Sequence, residues 1–285
     1  MLFTPVLYFL FDLNGVTNPV VWSVGTSLFC TFTASASSSY QQFSQQNGYL
    51  REGLMMGLGG AAGVSAGKWV ATSAFYSREI FVVFFSGLIL FVIGMFLMQR
   101  RAHDRAEKMS SEQAKNEEHM DDQMDDQMDD QMNDQMDDHM TESILDGPEM
   151  SWLQAIPAGG LGGAVAAMAG IGGGVVMVPV LTLIYRMPMV KSVSISSLAV
   201  MLISFSGWLQ YALISGNGAD GAATMYHLGY VDFGVGLPLM MGAFTGGFAG
   251  AKTSVSVSER VQVYGFVLLM IVIGGLLIGR TFFWP

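Results

Sequence analysis

The sequence predicts an all-α protein, a polytopic transmembrane helical bundle of two related halves with about seven full spans and a partial first one. Three observations carry this reading. Of the 285 residues, 51% are hydrophobic and only 13% charged, the composition of an integral membrane protein. The apolar residues fall in runs near the length needed to cross a bilayer, about 20 residues of helix. The charge is segregated, because residues 100–149 hold 17 of the 23 acids and 5 of the 13 bases. The net charge of −10 therefore belongs to one loop, and the rest carries eight bases against six acids. No basic stripe marks a nucleic-acid partner. The lipid bilayer is the partner that the composition names.

The first half is residues 1–101. Residues 2–11, LFTPVLYFLF, are apolar but too short to span alone. Residues 19–37 form a second segment containing Ser23, Thr26, Ser27, Thr31 and Thr33, and the polar run SSSYQQFSQQNGY after it reads as a loop. Residues 53–75 make a glycine-rich span in which Gly59, Gly63 and Gly67 lie four apart. That spacing strips side chains from one helix face and lets a neighbour approach closely. Residues 80–98 are a cleaner span ended by Gln99, Arg100 and Arg101. The lone cysteine, Cys30, reads as a small buried hydrophobe.

Residues 102–149 are polar, acidic and repetitive, and Met120 to Met140 runs as five units of the type Met-Asp-Asp-Gln. Low hydrophobicity with dense like charge predicts a solvated linker between the halves. Its thioethers, with His103, His119 and His139, offer a second reading as a soft-metal binder for an ion such as Cu(I).

The second half, 150–285, has four segments: 155–185, 192–214, 230–251 and 261–279. The first departs most from a plain helix. From Pro157 it carries no charge until Arg186, yet Gly170, Gly172, Gly173 and Gly174 crowd its centre and Pro179 follows. Glycine costs about 1 kcal/mol in a helix interior and proline about 3, so this span is expected to be broken or unwound there. Broken backbone at membrane depth persists only where it is buried in protein or lines a cavity, and transporters use it to aim half-helix ends at a substrate. The flanking pairs Gly159–Gly160 and Gly162–Gly163 read as close packing instead. Between the second and third segments a polar loop carries Asp220 and His227, and His227 reads as a loop-packing histidine. Asp232 and Glu259, at span ends, read as interface residues. Lys68, Lys191 and Lys252 read as snorkelling lysines.

The halves also match one another. FTPVLYFLF (3–11) aligns with MVPVLTLIY (177–185), placing Pro5 opposite Pro179. SVGTSL (23–28) aligns with SVSISSL (192–198), placing Thr26 and Ser27 opposite Ser196 and Ser197. Shorter matches follow around Lys68 and Lys252, and between LFVIG (90–94) and LMIVIG (269–274). Four spans per half would make the repeats parallel, and an uncounted re-entrant segment would change that. Nothing before Pro5 matches Gly159 to Gly174, so the given start is expected to lie inside the first repeat. A homo-oligomer whose second chain replaces the missing span stays open.

With these residues in order, the chain resembles the sulfite exporter TauE/SafE family of membrane anion transporters. The resemblance rests on GGAVAAMAGIGGGVVMVPVL (162–181), KSVSISSL (191–198), SGWLQYALISG (206–216) and GVGLPLMMGAFTGGFAGAKTS (234–254). It implies an eight-span fold in two repeats, a location in the cell (plasma) membrane, and transport of sulfite, sulfonates or related small anions. The long acidic insert and the missing first-span motif depart from the family pattern.

A small oxyanion needs donors and positive potential without tight trapping. Broken-helix N-termini supply free N–H groups, and Gly172, Gly173 and Gly174 let those amides approach without a Cβ in the way. Ser196 and Ser197, with Thr26 and Ser27 from the other repeat, either donate to the anion or bond back to their own helix carbonyls. Gln210, an amide deep in a span, needs a partner or a cavity. The candidate substrate-binding set is therefore Gly170, Gly172, Gly173, Gly174, Pro179, Ser196, Ser197, Thr26, Ser27 and Gln210. No paired carboxylates, clustered histidines or placed cysteine suggest an enzyme. The nearest approach to a P-loop, Gly63 to Trp69, has the wrong spacing, so no cofactor is expected. A metal-handling protein built on the Met/His/Asp linker is the competing function, and a non-functional transporter fragment is another.

Overall fold

The computed structural model describes residues 3–44, 49–73, 75–95, 98, 151–185, 187–214, 224–254 and 259–282. The linker 102–149 and the loop 215–223 lie outside the described residues, as do the side chains of Arg186, Lys252, Glu259 and Arg280. The elements are α1 (Phe3–Leu13), α2 (Pro19–Ser44), α3 (Leu50–Ala71), α4 (Arg78–Met95), α5 (Trp152–Ala169) and α6 (Gly174–Pro179), which runs into a π-helical segment, Val180–Ile184. Then come α7 (Met189–Ala212), a small hairpin of β1 (His227–Leu228) and β2 (Val231–Asp232), α8 (Phe233–Ser254) and α9 (Glu259–Phe282).

The fold is the predicted helical bundle, with two local departures. Helix α2 continues through Ser44, into the polar run expected to be a loop. No glycine or proline falls between Gly25 and Gly48, and Ser35 donates its hydroxyl hydrogen to the Phe32 carbonyl one turn back, as serine can within a helix. The second departure is the two-stranded hairpin ahead of α8, registered His227 to Asp232 and Leu228 to Val231.

The glycine stripe of α3 does what its spacing predicts. A side-chain carbon on Gly59, Gly63 or Gly67 would strike the carbonyl oxygen of Ile156, Gly160 or Ala164 on α5. The two helices therefore touch backbone to backbone. Phe81, Phe85 and Val92 of α4, Val24 and Leu28 of α2, and Ile195 and Ile203 of α7 belong to one buried apolar cluster with α3 and α5. Leu58, Leu90, Leu161 and Ile271 point outward and are mostly exposed. Single exposed leucines are ordinary, but a large apolar exterior belongs against lipid. Arg78–Met95 and Lys191–Ala212 are long and apolar enough to cross a membrane by length and composition alone.

Residue pairs fix the helix directions. Helix α3 runs parallel to α5, and also to α7, since Gly53 meets Leu198 and Gly57 meets Leu202. Helix α2 runs against α7: Phe32 packs on Phe205 at 5.4 Å between ring centroids, Leu28 meets Gly207, and Gly25 meets Tyr211. Helix α1 runs against α2, with Thr4 beside Ser27 and Phe11 beside Trp22. Helix α4 runs against α1, through the Arg78–Asp12 ion pair at 3.2 Å and Tyr8 packed on Phe81.

Two consequences follow. The segment 155–185 is not one interrupted span but a reversal. The chain turns at Gly170–Gly173 and comes back along α5, so that Gly173 lies on Gly162 and the Tyr185 hydroxyl donates to the Gln154 carbonyl at 3.4 Å. That re-entrant element was the uncounted one. The helices matched in sequence, α2 and α7, accordingly point in opposite directions, and the repeat they define is inverted rather than parallel. Pro179 does not stop α6. It lacks an N–H for the helical ladder, and the following turn widens, with Tyr185 N donating to Val180 O at 3.2 Å.

Candidate functional site

The reversal is built from backbone that only glycine adopts readily. Gly170, Gly172 and Gly173 have φ of +70°, +77° and +78°, in the left-handed region where an L side chain is strained. Gly170 caps α5, donating its N–H to Ala166 O at 2.7 Å. Space is restricted as well as conformation. A Cβ on Gly172 would lie 2.5 Å from Thr31 Cγ2 and 3.1 Å from both Ser204 Oγ and Val200 Cγ1. Thr31 sits near the middle of α2 and Val200 near the middle of α7, so the break lies at mid-depth of the bundle. Gly170 to Gly173 are all buried.

The two polarities of this break are treated differently. Most carbonyls at the end of α5 are occupied. Gly170 O accepts from Ser27 Oγ at 2.8 Å and Thr4 Oγ1 at 3.1 Å. Ala167 O accepts from the Tyr211 hydroxyl at 2.7 Å, and Met168 O from the Tyr76 hydroxyl at 3.0 Å. Burial pushes the Tyr76 phenol above its ordinary value, which keeps it protonated and donating. The amide side is open. Among the described residues the N–H groups of Ile171, Gly172, Gly173, Gly174 and Val175 have no acceptor, and the first bonds of the new helix are those from Val176 and Met177 to Gly173 O. A row of unpaired backbone N–H groups followed by a helix start is the arrangement that favours negative charge. Beside it lies Ser204, fully buried, with a hydroxyl that has no hydrogen-bond partner among the described residues. Such a group costs about 1–3 kcal/mol when left unmet.

The residues expected to form the site are placed as follows. Gly170, Gly172 and Gly173 form the turn, and Gly174 begins α6. Ser27 reaches the turn directly through Gly170 O. Thr26, next to it, accepts from the Asp232 N–H at 3.0 Å and anchors the hairpin. Ser196 and Ser197 donate to Val193 O and Ser194 O on their own helix, at 3.1 and 2.9 Å. Gln210 finds its partner one turn back, Nε2 donating to Ser206 Oγ at 2.9 Å. Pro179 is buried within α6, below the turn. The sequence reading did not find Thr4, Thr31, Tyr76, Ser204 and Tyr211. Ser204 carried one legible signal, since it lies two turns from Ser197 and so shares its helix face.

Two neighbouring expectations change and a third holds. Asp232 is not an interface residue. It is fully buried, and its carboxylate accepts from Thr224 N–H, from the Thr224 hydroxyl and from Val235 N–H, the last at 3.2 Å, which caps the start of α8. Lys191 does not snorkel. It is 5% exposed, with its ammonium 4.9 Å from the Tyr49 ring centroid. His227 packs as expected, its ring 5.4 Å from that of Trp22.

A helical bundle with an apolar exterior, a re-entrant hairpin at mid-depth and a matched pair of antiparallel helices defines a membrane transporter rather than an enzyme. The family model for sulfite exporter TauE/SafE matches residues 1–277, and the chain belongs to that family. It is also 24% identical over 265 residues, 91% of this chain and 79% of the relative, to a protein of Methanocaldococcus jannaschii named as a probable membrane transporter protein. No solved structure matches it.

Proposed function

We propose that the protein is a multi-pass secondary transporter of the cell membrane that moves sulfite, a sulfonate or a related small sulfur-containing anion past the Gly170–Gly174 turn. The observation that carries this reading is the polarity of the break. A cation site needs several converging free carbonyls, and here those of Ala166, Ala167, Met168 and Gly170 are occupied by donors, which leaves Ala169, Ile171 and Gly172. An anion site needs free N–H groups, and five consecutive ones are open. The family description supports sulfite as the first anion to try. The mid-depth position against α1, α2 and α7 supports a site reached from alternate sides as the inverted halves move against each other.

The test is radiolabelled sulfite flux into proteoliposomes, with sulfate, thiosulfate and a sulfonate as competitors. Saturable flux that at least one of these competitors reduces is the expected result. Properly inserted protein that moves none of these anions would sink the proposal. The anion's own gradient or a coupled ion supplies the drive.

A further inference from the structure

The proposed anion site has donors but, among the described residues, no fixed positive charge. Thr4, Val24, Ser27, Thr31, Val200 and Ser204 are what α1, α2 and α7 bring to the turn, and none is ionisable. Among the described residues, the following titratable and charged groups near these elements are engaged elsewhere. Asp12 and Arg78 pair at 3.2 Å beyond the end of α1. Tyr76 and Tyr211 donate to carbonyls of α5. Lys191 lies against Tyr49, 13 positions before Ser204 in α7, about 20 Å along the helix. Lys68 stands half-exposed in the last turn of α3. Asp232 is taken up by Thr224 and Val235, and His227 packs on Trp22.

Neutral donors in a buried site discriminate by charge. The solvation lost on burial grows with the square of the charge, so a dianion forfeits roughly four times what a monoanion does. Ser204 adds a second criterion. Backbone amides only donate, whereas a hydroxyl also accepts. A protonated oxyanion carries one O–H that the amide row cannot receive. Thr31 donates to Ser27 O at 2.8 Å, and Thr4 and Ser27 are engaged with Gly170 O, so among the described hydroxyls at the turn Ser204 is the one with no hydrogen bond of its own. Ser204 Oγ, fully buried and without a partner among the described residues, stands 3.1 Å from where a Cβ on Gly172 would lie.

We infer that the site takes its oxyanion in the singly charged, protonated form, hydrogen sulfite in the case of sulfite. The free amides of Ile171–Val175 face the bare oxygens and Ser204 Oγ accepts from the anion's O–H. This rests on the anion-site reading above and names the ionic species it takes.

The experiment uses the full chain in proteoliposomes and follows sulfite flux from mildly acidic to mildly alkaline pH. The KM in total sulfite should rise with pH in step with the loss of hydrogen sulfite, while the KM in hydrogen sulfite stays constant. Methanesulfonate, a monoanion without an O–H, should compete at every pH, and sulfate, a dianion, should not. Ser204→Ala should raise the KM for sulfite about ten-fold and leave competition by methanesulfonate unchanged, and Ser204→Thr should restore sulfite. A KM that stays constant in the sulfite dianion, or equal competition by sulfate, overturns the inference. So does a Ser204→Ala variant that weakens both monoanions alike, since that is a packing effect. If Ser204→Ala fails to fold, the wild-type pH profile and the sulfate comparison decide alone. Saturable flux that follows the dianion sinks only this inference, whereas no saturable flux of any anion sinks the site itself.

Discussion

Two sets of glycines in this protein look alike in sequence and serve different physical ends. Those of the α3–α5 seam are helical, and their missing side chains let carbonyl oxygens of the facing helix sit against them. Those of the turn have positive φ, and their missing side chains permit a conformation as well as a contact. The seam needs space and the turn needs backbone freedom, so the same substitution should fail for different reasons in the two places. Position within the seam matters too. Gly163 faces the Gly60 carbonyl at overlapping distance, whereas Gly160 meets only Gly59 O, at 3.6 Å.

The largest effect should come from the seam. Gly163→Val must force α3 and α5 apart, costing about 3 kcal/mol, and thermal unfolding in detergent should show a large loss without any change in anion selectivity of what remains folded. Gly172→Ala should cost about 1–3 kcal/mol through strain at φ +77°, with Thr31 Cγ2, 2.5 Å from the new Cβ, also having to shift, and should remove flux even in molecules that still fold. Retained flux in that variant would separate the turn from transport. Gly173 is a poorer probe, because its Cβ would meet backbone, Gly162 O at 2.6 Å, rather than a side chain that can shift, and loss of folding would mask loss of binding. Ser27→Ala removes one of two donors to Gly170 O and should cost about 1 kcal/mol, read as a modest fall in unfolding temperature. Gly160→Ala should be neutral or stabilising by about 0.5–1 kcal/mol, since its Cβ meets only an ordinary contact. A clear loss there would mean the seam is tighter than described. Deleting residues 104–149 should have the smallest effect on flux, and a large one would favour the metal-linked role of the linker.

Much of this was legible in the sequence. Apolar run lengths place most helices within a few residues, the end of α2 and the reversal within 155–185 apart, and glycine spacing marks the face of α3 that meets α5. The cluster Gly170–Gly174 marks the break. What could not be read is direction. Glycine says that the chain can turn but not that it reverses, and that one fact converts a span into a hairpin and parallel repeats into inverted ones. The hydroxyls were harder still. Ser196, Ser197 and Ser204 lie on one helix, yet two bond back to their own carbonyls and one does not, a difference set by which neighbour each turn of α7 meets. Thr26 and Ser27 are adjacent but serve the hairpin and the turn respectively. Asp232 looked like a residue at a span end because its partners, Thr224 and Val235, become neighbours only when the hairpin forms.

The central claim is that the open amides of the turn hold the anion. Hydrogen–deuterium exchange of the peptide spanning Ile171–Val175, with and without sulfite, tests it most directly. Slower exchange there on adding sulfite, with no comparable change on adding Cu(I), is the predicted result. Exchange that sulfite leaves unchanged in protein that transports it saturably would contradict the claim and send the search for the site elsewhere in the bundle.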